Sequence, residues 1–446
     1  MAIQMILALS IIVGIHEFGH LIAAKTFGMK VEKYFIGFPP KIFSFQYKGT
    51  EYGLGSIPLG GFVKIKGIID ESMDTEHLNE EPEEWEFRSK PAWQRMIVML
   101  GGIIFNVITG LIIFTVMTYS NGDTFLSKDE INKNGILALE LGKEVGFQTG
   151  DKILKINGND WERDSDLFDP NLFFDDNASF QVLRDNEIIK LKLPNNFINK
   201  MNSREALSSF LKARTPFYID SVFSDNNAFT AGIIKGDKIV KVDDTEIIDF
   251  IELKNILEEN KSSIVQLTVK RDNNNIDKVV EINKDGKIGI MVMNQPLNFS
   301  KKSYSLSESI GIGTERAFGV VFVNIKAFGK MFSGDIDPSK NLSGPIGIAQ
   351  IFGSTWDWGN FWRIVGLLSM VLAFMNLLPI PALDGGHATF ILYEMISGRK
   401  PSEKFLEYST RFGVIILLGL MSYVILNDIY KPVSYTHLTL PTKRIV

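Results

Sequence analysis

Four stretches of the chain carry apolar residues with almost no polar interruption, at about 2–24, 94–118, 361–383 and 408–427. Each is long enough to cross a bilayer as a helix, which takes ~20 residues. Apolar side chains on every face predict helices surrounded by lipid or by other helices, not by water. The intervening blocks have different periods. Residues 41–67, "KIFSFQYKGTEYGLGSIPLGGFVKIKG", alternate apolar and polar positions between glycines, which predicts strands joined by hairpins. In residues 303–335 apolar positions recur at three and four, with Lys326 and Lys330 among them. That period predicts an amphipathic helix, either lying on the membrane surface or packed as a linker. "NLSGPIGIAQ", 341–350, reads as a Gly-Pro loop leading into the third span.

The block between the second and third spans contains a repeat. "GDKILKINGND" starts at Gly150 and "GDKIVKVDDTE" at Gly236. About 30 residues after each comes a strand pattern, "FQVLRDNEIIKLKL" from Phe180 and "VQLTVKRDNNNIDKVVEI" from Val265. The same order at the same spacing predicts two copies of one small β-rich domain, over about 121–211 and 212–297. The expected fold class is a polytopic α-helical membrane protein of four spans, with two inserted β-rich domains and a membrane-associated β-hairpin. Residues 1–120 and 361–430 form the two halves of the membrane core, joined by an amphipathic linker region at 298–360.

Charge adds an orientation. With 47 basic and 52 acidic residues the formal charge is −5, which gives no nucleic-acid footprint. Lys25, Lys30, Lys33, Lys41, Arg88, Lys90 and Arg95 flank the first connection, and Arg399, Lys400, Lys404 and Arg411 the last. Basic residues next to spans mark the cytoplasmic side, so the repeats and both termini face outward. The acidic run "DESMDTEHLNEEPEEWE" reads as a solvated face. The tail from residue 433 has no periodicity and reads as non-native or disordered, so His437 is set aside.

The chain has no cysteine, so a metal site would have to use His, Asp or Glu. Within the first span stands "HEFGH", His16 to His20. Histidines four apart lie on one helix face and can reach a single zinc ion, while Glu17 beside them can act as general base toward water. Each charged residue at mid-membrane costs ~2.5–3.5 kcal/mol, so three ionisable groups in one span need a use. The alternative is a helix with packed histidines. A third ligand is available in "NLLPIPALDGGH", 376–387. There Pro379 and Pro381 break the helix, and Gly385 and Gly386 allow a sharp turn. Asp384 is the candidate and His387 its competitor; the stretch could also be a plain span-ending turn.

Taken together these segments resemble the site-2 proteases, and within them the regulator-of-sigma-E protease type (RseP). The resemblance covers nearly the whole chain. It rests on HEFGH, "GGFVKIKG" (60–67), the tandem repeats, "NLSGPIGIA" and "NLLPIPALDGG". The repeats resemble PDZ domains of bacterial proteases; "AFTAGIIKGDKIVKVDD" matches well, whereas "EVGFQTGDKILKING" lacks the Ala-Gly step. The resemblance implies an intramembrane metalloendopeptidase with one Zn2+ held by His16, His20 and Asp384. Glu17 would be the base, and Asn376 would bind the substrate strand or its oxyanion. It also implies a bacterial cytoplasmic (inner) membrane location, PDZ domains on the outer side, and a transmembrane anti-sigma-factor substrate already clipped outside. A helical substrate must unwind before attack, and a hairpin edge at Gly61, Phe62, Val63 and Lys64 could capture it by strand addition; the hairpin as simple structural cover is the alternative. One departure is Ile103, where many relatives carry Pro after Gly102; the family's Asn is present as Asn106. A competing function is a non-enzymatic membrane scaffold whose repeat pair holds peptides beside a lapsed metal site. A zincin with its site outside the membrane is a second competitor, but here HExxH falls inside a span.

Overall fold

The computed structural model describes residues 1–68, 82–201 and 204–430. Residues 70–81 of the acidic run and the tail from 433 lie outside them. The chain forms two compact units, one made of Met1–Asp123 with the segment from Lys302 onward, the other of Thr124–Lys301.

The first unit begins with α1 (Ala2–Thr26), followed by β1 (Val31–Tyr47), β2 (Thr50–Ile65) and α2 (Ala92–Asn121). After the second unit come α3 (Leu306–Phe332), α4 (Pro345–Ile351), α5 (Trp358–Leu377), α6 (Asp384–Ser397) and α7 (Glu403–Tyr430). By length and composition α1, α2, α5 and α7 are the helices able to cross a membrane among the described residues. The third span stops at Leu377, short of the 383 expected, because Pro379 and Pro381 have no N–H to continue the ladder. Beyond them α6 was not anticipated: the Gly385-Gly386 pair reads as a turn but lies in the first helical turn. Glycine is needed there because a Cβ would stand 2.4 Å from the Leu378 carbonyl oxygen at Gly385 and 2.4 Å from that of Ile380 at Gly386.

Residues 306–332 form the expected helix, which packs through small buried residues, Ser309, Gly313 and Ala317, and leaves Ile310, Phe322, Ile325 and Phe332 exposed. Arg316 of α3 donates to Asp123 at 2.8 and 2.6 Å and to Thr118 Oγ1 at 3.1 Å, and the Phe328 ring lies 5.8 Å from that of Phe374 on α5. The Gly-Pro segment opens α4, and Asp428 near the end of α7 accepts its Gly344, Ile346 and Gly347 N–H groups at 2.9–3.1 Å.

The strands start at Val31, ten residues earlier than the alternation indicated, because both long strands bend and continue. Lys33 to Ile36 are flanked by two parts of β2, Lys64 back to Gly61 on one side and Glu51 to Leu54 on the other. Residues 61–65 therefore form an edge of this sheet. Tyr34 OH donates to the Gly14 carbonyl at 2.8 Å and Lys25 Nζ to Tyr52 OH at 2.9 Å, which ties the sheet to α1.

The second unit holds two similar halves. In the first, β3 (Ile136–Ala138) pairs with β7 (Leu211–Ala213), beside a sheet of β4 (Lys152–Ile156), β5 (Ser179–Arg184) and β6 (Glu187–Lys192). In the second, β8 (Phe217–Val222) pairs with β12 (Ile290–Asn294), beside β9 (Lys238–Val242), β10 (Ile264–Arg271) and β11 (Asn274–Glu281). All these pairings are antiparallel. Each half has its own core, around Phe147, Phe180 and Phe210 in one and Ile219, Leu253 and Leu267 in the other.

The repeated Gly-Asp explains itself here. Asp151 takes Arg184 Nε and Nη2 at 2.8 Å each and the Gln148 N–H at 2.9 Å. Asp237 takes Arg271 Nε and Nη2 at 2.8 Å each and the Ile234 N–H at 3.0 Å. Hydrogen bonding to these carboxylates pushes the pKa of each arginine upward.

Candidate metal centre

Helical spacing on α1 puts His16 and His20 on one buried face, their Nε2 atoms 3.3 Å apart. The turn after α5 delivers Asp384 at the first position of α6. Its Oδ2 lies 3.0 Å from His16 Nε2 and 3.3 Å from His20 Nε2. Three ligand atoms from opposite ends of the chain thus converge on one point. Ligands held ~2.0–2.1 Å from a tetrahedral zinc stand about 3.3 Å from each other, so the separations suit that ion. Asp384 Oδ2 is buried without a hydrogen-bond donor, an atom that a cation would satisfy.

The far sides of the imidazoles set their tautomers. His20 Nδ1 lies 2.7 Å from the Val98 carbonyl, which can only accept, so Nδ1 carries the proton and Nε2 keeps its lone pair. His16 Nδ1 lies 3.1 Å from the Asn106 amide, which is fully buried with Oδ1 unpartnered. Amide oxygen and nitrogen are interchangeable in shape, and turning Asn106 lets its oxygen accept from His16 Nδ1–H. Both histidines then present lone pairs to the same point.

Glu17 points to a neighbouring position, half-buried beside the sheet edge. Its carboxylate lies near the Val63 backbone. A Cβ on Gly61 would come 3.4 Å from Glu17 Cγ, and Phe62 stacks on Phe35 with ring centroids 5.4 Å apart. Lys64 lies 3.8 Å from Glu32. Asn376, at the end of α5, brings Nδ2 to 3.2 Å from His16 Nε2. His387 falls outside the group of three and lines a separate cavity.

Sequence reasoning missed why α2 fits here. A Cβ on Gly102 would stand 2.5 Å from both His16 Cε1 and His20 Nε2, and one on Gly19 would stand 2.3 Å from the Gly101 carbonyl oxygen. Only glycines let the two helices approach so closely. The small-residue pattern Gly101-Gly102 facing Gly19 was the available signal.

The model for peptidase family M50 matches residues 4–420. A regulator of sigma E protease from Haemophilus influenzae is 29% identical over 96% of this chain and 98% of its own. The regulator of sigma-E protease RseP of Salmonella typhimurium is 27% identical over 95% of this chain and 97% of its own. A Vibrio cholerae protein with zinc metalloprotease in its name is 29% identical over 96% and 97%. Two ring nitrogens and a carboxylate oxygen within 3.3 Å of one another, beside the Glu17 carboxylate, are the equipment these names call for, and the chain belongs to peptidase family M50 and is a metalloendopeptidase.

Proposed function

We propose that His16, His20 and Asp384 hold one zinc ion, and that the enzyme cleaves a peptide bond of a single-pass membrane protein within the membrane. The observation carrying this is the mutual approach of the three ligand atoms at 3.0–3.3 Å on elements of the apolar helical unit. Zinc there supplies Lewis acidity toward water and toward the scissile carbonyl. Glu17 accepts the proton of the attacking water and returns it to the leaving amine. Asn376 stands close enough to orient the carbonyl oxygen. The edge at Gly61, Phe62, Val63 and Lys64 receives the unwound substrate as an added strand, which brings an extended backbone alongside Glu17.

The names of the sigma-E protease relatives support an anti-sigma-factor-like substrate and an inner-membrane location. The two similar halves of the second unit act as PDZ-like domains on the outer side, over about 121–211 and 212–297, and screen the substrate's external part. The scaffold reading is disfavoured, because a lapsed site has no reason to keep Glu17 beside its three ligands. The test is cleavage of a model transmembrane peptide by purified protein in detergent, with and without a chelator. Loss of cleavage on chelation and return with zinc is expected; chelator-resistant cleavage, or none with zinc bound, overturns the proposal.

A further inference from the structure

Most of α7 is exposed, and among its described residues only Thr410, Gly413 and Asp428 are buried. Asp428 is used on the backbone of α4. Gly413 has a different neighbour. A Cβ on it would overlap the Pro381 carbonyl group and come 3.0 Å from Pro381 Cβ. The backbone of α7 therefore lies directly against the connection between α5 and α6, and a glycine is what permits it.

That connection delivers Asp384. It is tightly wound: the Ile380 N–H donates to the Leu378 carbonyl at 2.7 Å, Leu383 to Ile380 at 3.0 Å and Gly386 to Leu383 at 3.0 Å. Ala382, the residue after Pro381, is buried with φ +78°, in the left-handed region that residues with a Cβ seldom adopt. Such a conformation persists only where the surroundings impose it. Gly385 and Gly386 press on the Leu378 and Ile380 carbonyls from α6, and Gly413 adds a contact from a third helix.

We propose that Gly413 is a positioning residue for Asp384. By admitting α7 against the Pro381 carbonyl, it holds the turn that sets the carboxylate 3.0 Å from His16 Nε2 and 3.3 Å from His20 Nε2. The proposal rests on the assignment of these three residues as zinc ligands. The same helix supplies a control. Gly419 has nothing within 4 Å of where a Cβ would stand. Gly413→Ala and Gly419→Ala make the same chemical change with the same gain in helix propensity, and differ in the contact with Pro381.

The test titrates Co2+ into the purified full chain in detergent. Gly413→Ala should weaken binding about tenfold, the lower end of the range for loss of a contact that orients a ligand, and should alter the visible absorption of the bound ion. Gly419→Ala should change neither. In the metal-free proteins, hydrogen exchange over 378–390 should quicken in Gly413→Ala alone; circular dichroism confirms folding. Adding Ala382→Gly frees the turn to yield to the new methyl, so the double variant folds even where Gly413→Ala does not, and it should bind Co2+ more weakly than Ala382→Gly alone. Equal binding, absorption and exchange in the two single glycine variants, or a loss shared by both, overturns the proposal. An unsubstituted protein that binds no metal would overturn the ligand assignment instead, and the exchange comparison would still decide whether α7 holds the turn.

Discussion

Buried carboxylates occur in both units, and their surroundings are opposite. In the repeats, Asp151 and Asp237 have fully buried side chains, each gripped by two arginine nitrogens and a backbone N–H. Their charge is matched and their lone pairs are used. In the helical unit, Asp384 Oδ2 is buried with no donor, facing two imidazole nitrogens that themselves carry lone pairs. A satisfied buried carboxylate stabilises a fold; one left unsatisfied among other acceptors is held for something absent. Accounting for every hydrogen bond separates the two.

The contrast predicts how substitutions sort. On the proposed roles, Glu17→Gln removes the proton acceptor while sparing all three ligand atoms. Cleavage should fall by about 10²–10⁴-fold with zinc content unchanged. A Glu17→Gln enzyme of near wild-type rate would remove Glu17 from the chemistry.

Gly102→Ala comes next. The added methyl would collide with both imidazoles, so zinc affinity should fall about 10–100-fold, the range seen when ligand orientation is disturbed. Competition with a chromophoric chelator measures it; unaltered affinity would mean that α2 does not position the histidines.

Asp237→Ala should affect the chemistry least. It leaves Arg271 without its partner and should destabilise the second repeat by about 2–3 kcal/mol, less than for a fully buried pair because Arg271 keeps part of its side chain in water. Hydrogen exchange across residues 217–290 would report this. Cleavage of a substrate already trimmed on its outer side should be unchanged; its loss would break the division between a structural and a chemical use of buried charge.

The parts of the site legible from sequence were those written locally. HExxH places His16, His20 and Glu17 together by helical period alone, and Pro379 with Pro381 announces that the chain breaks just before Asp384. What escaped depended on partners far away in sequence. Gly385 and Gly386 looked like a turn because their helix becomes necessary only when the Leu378 and Ile380 carbonyls press against it. Gly19, Gly101 and Gly102 carry no chemistry of their own and gain meaning only when α1 meets α2. The early start of β1 was hidden because β1 is paired on both sides by a strand that folds back, which no local alternation reports. The period of α3 gave the helix, but not that it packs through Ser309, Gly313 and Ala317, small residues whose role depends on what faces them.

The central claim is that Asp384 completes the metal centre from the far end of the chain. Zinc content measured on purified Asp384→Asn protein, beside His387→Ala, tests it most directly. The account predicts that Asp384→Asn loses bound zinc and cleavage together while His387→Ala keeps both. Zinc retained at full occupancy with normal cleavage in Asp384→Asn, and lost in His387→Ala, would contradict it.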